Sequence, residues 1–208
     1  MKYGIDVSRW QGVINWCKVK ASGKVAFAIC KIGGNDGGSL YTDSEFANNY
    51  YGCKGHNIPV GAYFFLGSQV NTAEKGRTCA TQILSLIKKY PSFEYPIWID
   101  IEVHDKKNKQ GNTDAVKEIC RIIQASGYYV GIYGSDINTF DEQLNTSQLS
   151  AYDKWVARYP LSSKCKWSGG MRQYSSTGTI DGITGNVDLD TSDYGYPEIM
   201  KNKHLNGF

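Results

Sequence analysis

Two carboxylates interrupt a strand otherwise built from isoleucine. In Pro96–Val103, Ile97, Ile99 and Ile101 share one face of an extended chain, and Trp98, Asp100 and Glu102 share the other. Neither acid follows a turn signal, so neither reads as a cap. Burying two like charges side by side is costly and drives their pKa values apart. One carboxyl then keeps its proton near neutral pH while the other stays ionised, which divides acid work from base work. Two residues along a strand separate Cα atoms by roughly 6.8 Å. That spacing is too local for carboxylates facing each other across a sugar ring. It suits an acid beside a neighbour that supports a substrate acetamido group as internal nucleophile.

The same placement recurs at both ends of the chain. Tyr3, Ile5 and Val7 alternate with Gly4, Asp6 and Ser8, and Val187 and Leu189 alternate with Asn186, Asp188 and Asp190. If the first and last strands are neighbours, Asp6 approaches Asp188, with Asp100 and Glu102 facing them. Alone, Asp6 or Asp190 reads as a turn or capping residue. The competing use of four carboxylates is an all-oxygen Mg2+ or Ca2+ site. Catalytic metals in such settings usually recruit imidazole, and none of His56, His104 and His204 stands at the inward end of a strand. The expectation is no metal and no cofactor, with His104 a solvated or supporting residue. Gly33–Gly38 is glycine-rich but lacks the Lys-Ser/Thr ending of a phosphate cradle, and no Gly-x-Ser-x-Gly elbow or dinucleotide fingerprint appears.

Such residues need a scaffold that brings strand ends together. Strand and helix periods alternate from the start. Strands are predicted at Tyr3–Ser8, Val25–Ile32, Pro59–Leu66, Pro96–Val103 and Tyr128–Tyr133, then at Lys154–Tyr159, Met171–Ser175 and Asn186–Asp190. Helices are predicted over Val13–Ala21, after a Thr42-x-x-Glu45 capping box, after Asn71 and Glu74, and around Val116, Ile119, Cys120 and Ile123. Alternation of this kind implies right-handed crossovers and a parallel sheet. Eight strands imply closure into an irregular TIM-like α/β barrel whose helices thin out in the C-terminal half, with its active site at the C-terminal mouth.

Composition narrows the partners. The 208 residues make one barrel domain, 1–194, with 195–208 a short tail or the start of a linker. A net charge of +3, with no basic block denser than Lys106–Lys109, argues against nucleic acid. No apolar stretch approaches the ~20 residues of a membrane span, and the start lacks the apolar region of a signal peptide. The 6 cysteines are scattered without a Cys-x-x-Cys and read as free thiols in a reducing compartment.

Motifs in order along the chain resemble glycoside hydrolase family 25, the Chalaropsis-type lysozymes (N-acetylmuramidases) of phage and bacteria. They are Gly4-Ile5-Asp6-Val7-Ser8-Arg9-Trp10-Gln11-Gly12, Gly61-Ala62-Tyr63-Phe64-Phe65 and Trp98-Ile99-Asp100-Ile101-Glu102. Trp155-Val156-Ala157-Arg158-Tyr159, Gln173-Tyr174 and Asn186-Val187-Asp188-Leu189-Asp190 follow. The resemblance runs from about Tyr3 to Tyr194 and implies an irregular barrel with about five helices. It also implies cleavage of the β-1,4 bond between N-acetylmuramic acid and N-acetylglucosamine in the bacterial peptidoglycan glycan strand. By the same resemblance Glu102 is the general acid, and Asp100 supports the acetamido group or an attacking water. Asp6 and Asp188 tune the pair, and Tyr63 hydrogen-bonds near the reacting ring. Trp10, Trp98, Tyr133, Arg158, Tyr159 and Gln173 are the implied subsite residues.

Two positions depart from the family's pattern. Lys31-Ile32-Gly33-Gly34-Asn35 replaces the frequent Lys-x-Thr/Ser-Glu-Gly, and Phe64 stands where a His often follows the third-strand tyrosine. The rival readings are an inactive glycan-binding relative and a metal-dependent hydrolase on a similar barrel. Without a signal peptide, an endolysin of this kind is expected in the host bacterial cytoplasm until released to the wall, or exported there by another route.

Overall fold

A computed structural model describes the whole chain, residues 1–208, and contains nine strands. They are β1 (Lys2–Val7), β2 (Phe27–Gly34), β3 (Tyr41–Thr42), β4 (Val60–Phe65), β5 (Ile97–Asp100), β6 (Val130–Ser135), β7 (Asp153–Ala157), β8 (Met171–Gly178) and β9 (Val187–Ser192). Eight close a ring, because β1 pairs with both β2 and β9 while the others follow in the order β4-β5-β6-β7-β8. The two-residue β3 is an arm on the end of β2. Helices α1 (Trp16–Ala21), α2 (Phe46–Gly55), α3 (Ala73–Ile87) and α4 (Lys109–Ala125) precede β6, and α5 (Tyr196–Asn202) ends the chain. Past β6, where the apolar helical stripe fades, a π-helical turn (Asn138–Gln143) and a 3-10 turn (Thr146–Leu149) replace a crossover helix. No helix is long and apolar enough to cross a membrane.

Alternation along each strand separates two apolar layers. Ile5, Val7, Cys30, Ile97, Ile99 and Ile101 point outward into a layer shared with the helices, and all are 1% exposed or less. Burying each isoleucine there contributes about 1.5–3 kcal/mol. The lumen holds a smaller, mostly aromatic cluster that includes Phe27, Tyr95, Trp98, Trp155 and Tyr196. Glycines on inward positions make room for those rings: a Cβ on Gly4 would lie 2.5 Å from the Phe27 ring, and one on Gly131 would lie 2.2 Å from Trp98. This alternation of small and large residues fills the barrel below its mouth.

Three expectations need correction. The sheet is not all parallel: β9 runs antiparallel to β8 and β1, because the short 179–186 connection holds no crossover helix. The N-terminal end of β9 therefore lies at the mouth. Residues 195–208 are not a tail. In α5, Tyr196 and Met200 join the lumen cluster, and the buried Asn206 bonds both Tyr129 N–H (2.7 Å) and the Tyr95 carbonyl (2.9 Å). Finally, Thr42 sits in β3 and forms no capping box. Asp43 Oδ1 accepts from Glu45 N–H instead, and Thr72 rather than Asn71 caps α3.

Candidate active site

Asp100, the last residue of β5, is buried, while Glu102 lies past the strand's end and is exposed. Side-chain amides hold the segment beyond the sheet. Gln143 Nε2 donates to the Glu102 carbonyl at 2.9 Å, and its Oε1 accepts from His104 N–H at 2.9 Å. Thr139 Oγ1 donates to the Ile101 carbonyl at 2.7 Å. Asn112 on α4 donates in turn to the carbonyls of Gln143 (3.0 Å) and Asp105 (2.9 Å). His104 is not solvated. Its ring is buried, Nε2 lies 3.2 Å from the Val70 carbonyl, and burial lowers its pKa, so it is a neutral anchor of this loop.

The opposite wall comes from the two chain ends. Register places Asp6 of β1 directly across from Asp188 of β9, and Gly4 across from Asp190. Asp188 is half-buried at the mouth, and Asp190 is fully buried deeper in the lumen. Gln173 on β8 is the hub of a buried network. Its Nε2 donates to Asp6 Oδ2 at 2.8 Å, and its Oε1 accepts from Tyr133 at 2.9 Å and from Tyr159. Trp155 Nε1 donates to Asp190 Oδ1 at 2.8 Å. Asp190 Oδ2 and Asp100 Oδ1 are buried without any protein partner.

Five acids around one mouth raise one another's pKa values. Burial holds Asp6 well above the carboxylate range, with Asp188 adding repulsion and the Gln173 hydrogen bond opposing it. Burial does the same to Asp100, reinforced by Glu102 and opposed by the Lys31 ammonium. Glu102 is raised by partial desolvation, again opposed by Lys31. Asp188 is pushed up to about 6, first by burial and then by Glu102. Asp190 is raised well above its usual value by burial and Asp6, opposed by the Trp155 hydrogen bond. Burial and the charges of Asp6 and Asp100 raise the Tyr63 phenol, so Tyr63 keeps its proton between them. No three His, Cys, Asp or Glu side chains are arranged to hold a metal ion.

A cleft of about 560 Å3 opens beside Glu102, with Tyr133, Asn138, Arg158 and Tyr159 on its walls. Of the residues expected to contact substrate, Tyr63, Tyr133, Gln173, Arg158 and Tyr159 thus stand at or just under the mouth. Trp10 stands on the rim, 77% exposed on the turn after β1, with the Arg9 guanidinium 5.1 Å from its ring. Trp98 is the exception. It is fully buried in the lumen against Trp155 (5.8 Å) and Tyr196 (6.2 Å), so it forms the floor beneath the mouth. Its inward position was readable, but its depth, one layer below Asp100, depends on the barrel's stagger.

Sequence reading gave Lys31 no place in the site, and it set Asp190 on the inward face of the last strand without a role there. Lys31 points inward by the same alternation that buries Phe27 and Ile29, and Asp190 shares the inward face of β9 with Asp188. Period-two patterning carried both signals.

Comparison with known proteins gives this site a lineage. The description Glycosyl hydrolases family 25 matches residues 5–183. Lysozyme M1 of Streptomyces globisporus is 45% identical over 211 aligned residues, covering 89% of this chain and 65% of that protein. The autolytic lysozyme of Clostridium acetobutylicum is 28% identical over 190 residues, covering 90% of this chain and 54% of that protein. The chain therefore spans roughly half to two thirds of these relatives. Among solved structures, a bacterial lysozyme from Streptomyces coelicolor shares the fold with a TM-score of 0.81, at 24% identity over 97% of this chain and 98% of that one. The Streptococcus pneumoniae autolysin LytC, solved with a synthetic peptidoglycan ligand, superposes with a TM-score of 0.78 at 25% identity, over 91% of this chain and 46% of that one. With most of its length matched by the family's own pattern, the chain belongs to glycosyl hydrolase family 25.

Proposed function

We propose that this chain is an N-acetylmuramidase that hydrolyses the β-1,4 bond between N-acetylmuramic acid and N-acetylglucosamine in peptidoglycan. The observation that carries the reading is the pairing at the end of β5. A buried Asp100 with an unpartnered oxygen stands two residues before an exposed Glu102 that lines the cleft. An unpaired buried acceptor is costly until a donor arrives, and a 2-acetamido N–H is a donor of the right kind. Asp100 accepts that N–H and increases electron density on the acetamido oxygen, which attacks the anomeric carbon. As the glycosidic bond breaks, the Glu102 proton passes to the leaving oxygen, and partial desolvation raises the Glu102 pKa in the direction that this role needs. Glu102, now a carboxylate, then takes a proton from the water that opens the cyclic intermediate. Asp188, its pKa pushed up to about 6, adds negative potential opposite the developing positive charge, and Asp6 lies directly across from it. Tyr133, Tyr159 and the exposed Trp10 offer rings and hydroxyls to the flanking sugars.

The names of the relatives support the substrate class, as does the ligand held by the pneumococcal autolysin. The same reading sends the protein to the bacterial wall, by phage-mediated release from a host cytoplasm or by export. The test compares the protein with Glu102→Gln on purified Gram-positive peptidoglycan, following new reducing ends and identifying the sugar that bears them. Reducing N-acetylmuramic acid from the parent and almost none from the variant is the expected result. Reducing N-acetylglucosamine would replace the bond assignment. No new ends from either protein, with both sedimenting with the wall, would make the barrel a binding module.

A further inference from the structure

Lys31 follows Phe27 and Ile29 on the inward face of β2, and its ammonium ends among aromatic rings. Nζ lies 4.9 Å from the centre of the Phe65 ring, 5.7 Å from Tyr63 and 5.8 Å from Tyr41. The residue is half-buried and takes part in none of the chain's six ion pairs. Ring faces within about 6 Å attract a cation through their quadrupoles. Unlike a carboxylate partner, they hold the charge in place without neutralising it, so its field remains available to the mouth.

The charged and titratable groups around that mouth are acids and phenols, with Arg158 on the cleft wall beside Glu102 and Arg9 against Trp10 on the rim. Asp100 and Glu102 come from β5 and the segment after it, Asp6 from β1, and Asp188 and Asp190 from β9. Asp43 follows β3, and the phenols are those of Tyr41, Tyr63, Tyr133 and Tyr159. Phe65, whose ring the Lys31 ammonium approaches most closely, is the register partner of Asp100 on β5, which sets that charge beside the carboxyl pair, and the charge lowers the pKa of both Asp100 and Glu102. Its presence matters because repulsion splits the pair's pKa values, burial raises both, and a nearby positive charge favours the ionised form of one of them. A doubly protonated pair contains no base. One fixed positive charge makes the singly protonated pair the resting state instead.

We propose that Lys31 is the positioning residue that sets this charge state: an unpaired ammonium, held by Tyr41, Tyr63 and Phe65, that keeps one negative charge on the Asp100–Glu102 pair while the second carboxyl retains its proton. Its kinetic consequence rests on the muramidase reading, but the charge state itself belongs to the free protein. Lys31→Met keeps the aliphatic stem and removes the charge, and Lys31→Arg restores the charge. Lys31→Gln serves as a second neutral variant should the methionine protein not fold. Two readouts separate the proposal from the activity: carboxyl titration of the free protein by 13C NMR, and the pH dependence of reducing-end release.

The expected result is that both neutral variants raise the pair's apparent titration midpoints by about one unit, as loss of a nearby opposite charge does. Both limbs of the activity profile move to higher pH, and Lys31→Arg returns them. Unchanged midpoints overturn the proposal, even if the rate falls. A rise in KM with unmoved limbs overturns it too, and makes Lys31 a substrate contact. If the parent releases no reducing ends, the hydrolase reading fails while the titration still decides the role of Lys31.

Discussion

Replacing Asp188 by asparagine should make this protein more stable at neutral pH, although it removes an acid from the site. The carboxyl titrates at about 6 in the folded chain against an ordinary 3.8, raised first by burial and then by Glu102. Below about pH 4 it is protonated in both states and costs nothing. Between about pH 4 and 6 the unfolded chain releases the proton and the folded chain does not, so the unfolded state gains and stability falls as pH rises. Above the folded pKa the loss is constant. At 1.36 kcal/mol per unit the full displacement is worth about 3 kcal/mol, which screening at a half-buried position reduces to about 2. Asparagine has no charge to desolvate and escapes that loss. In a chain of 208 residues, a gain of about 2 kcal/mol raises Tm by about 4–8 °C. Urea unfolding of parent and variant, followed by tryptophan fluorescence across about pH 3.5–8, is the assay. The stability difference should be near zero at the acid end, open between about pH 4 and 6, and stay flat above. A variant that is less stable than the parent at neutral pH, or a difference that is the same at all pH values, would refute the reasoning.

Gln173→Leu leaves the buried Asp6 Oδ2 without its donor and two tyrosine hydroxyls without their acceptor. At about 1–3 kcal/mol for each stranded buried group, the melt should fall by several degrees, and reducing-end release should fall with it. Gln143→Leu cuts both hydrogen bonds that clip the Glu102–His104 segment. It should lower kcat about 10–100-fold by misplacing the acid, with KM little changed. Hydrogen exchange at the His104 amide should quicken, and the limbs of the pH profile should stay where they are. A shifted pH limb in Gln143→Leu would mean that the amide acts through charge rather than through placement.

What sequence patterning reveals here is whatever period two and period 3.6 encode. Ile97, Ile99 and Ile101 against Trp98, Asp100 and Glu102 fix which way β5 faces, and the stripe of Val116, Ile119, Cys120 and Ile123 fixes α4. Strand direction and depth are not periodic properties. Nothing local in Asn186–Asp190 says that β9 enters from the mouth, and nothing in Trp98 says how far below the lip it sits. The helix at Tyr196–Asn202 escaped for a related reason. Its seven residues bury their apolar side chains in the lumen of a barrel closed by strands far away in sequence, a partner that no short window contains.

The reversal of β9 has a consequence for the chemistry. Because the strand descends from the mouth, it delivers Asp188 at the level of Asp6 and sends Asp190 two residues deeper, to the Trp155 indole. At that depth Asp190 is fully buried, and burial and Asp6 raise its pKa well above the usual carboxylate value. Its Oδ1 accepts from Trp155 Nε1 and its Oδ2 has no protein partner, while Asp6 accepts from Gln173. The Gln173 hydrogen bond favours the charged form of Asp6 against the burial and the Asp188 repulsion that oppose it. A strand running the other way would place Asp190 at the lip, where water would ionise it, and would leave Asp6 between two negative charges. The antiparallel strand therefore grades the crowd of acids by depth, with Asp190 buried in the floor and Asp188 level with Asp6 nearer the mouth.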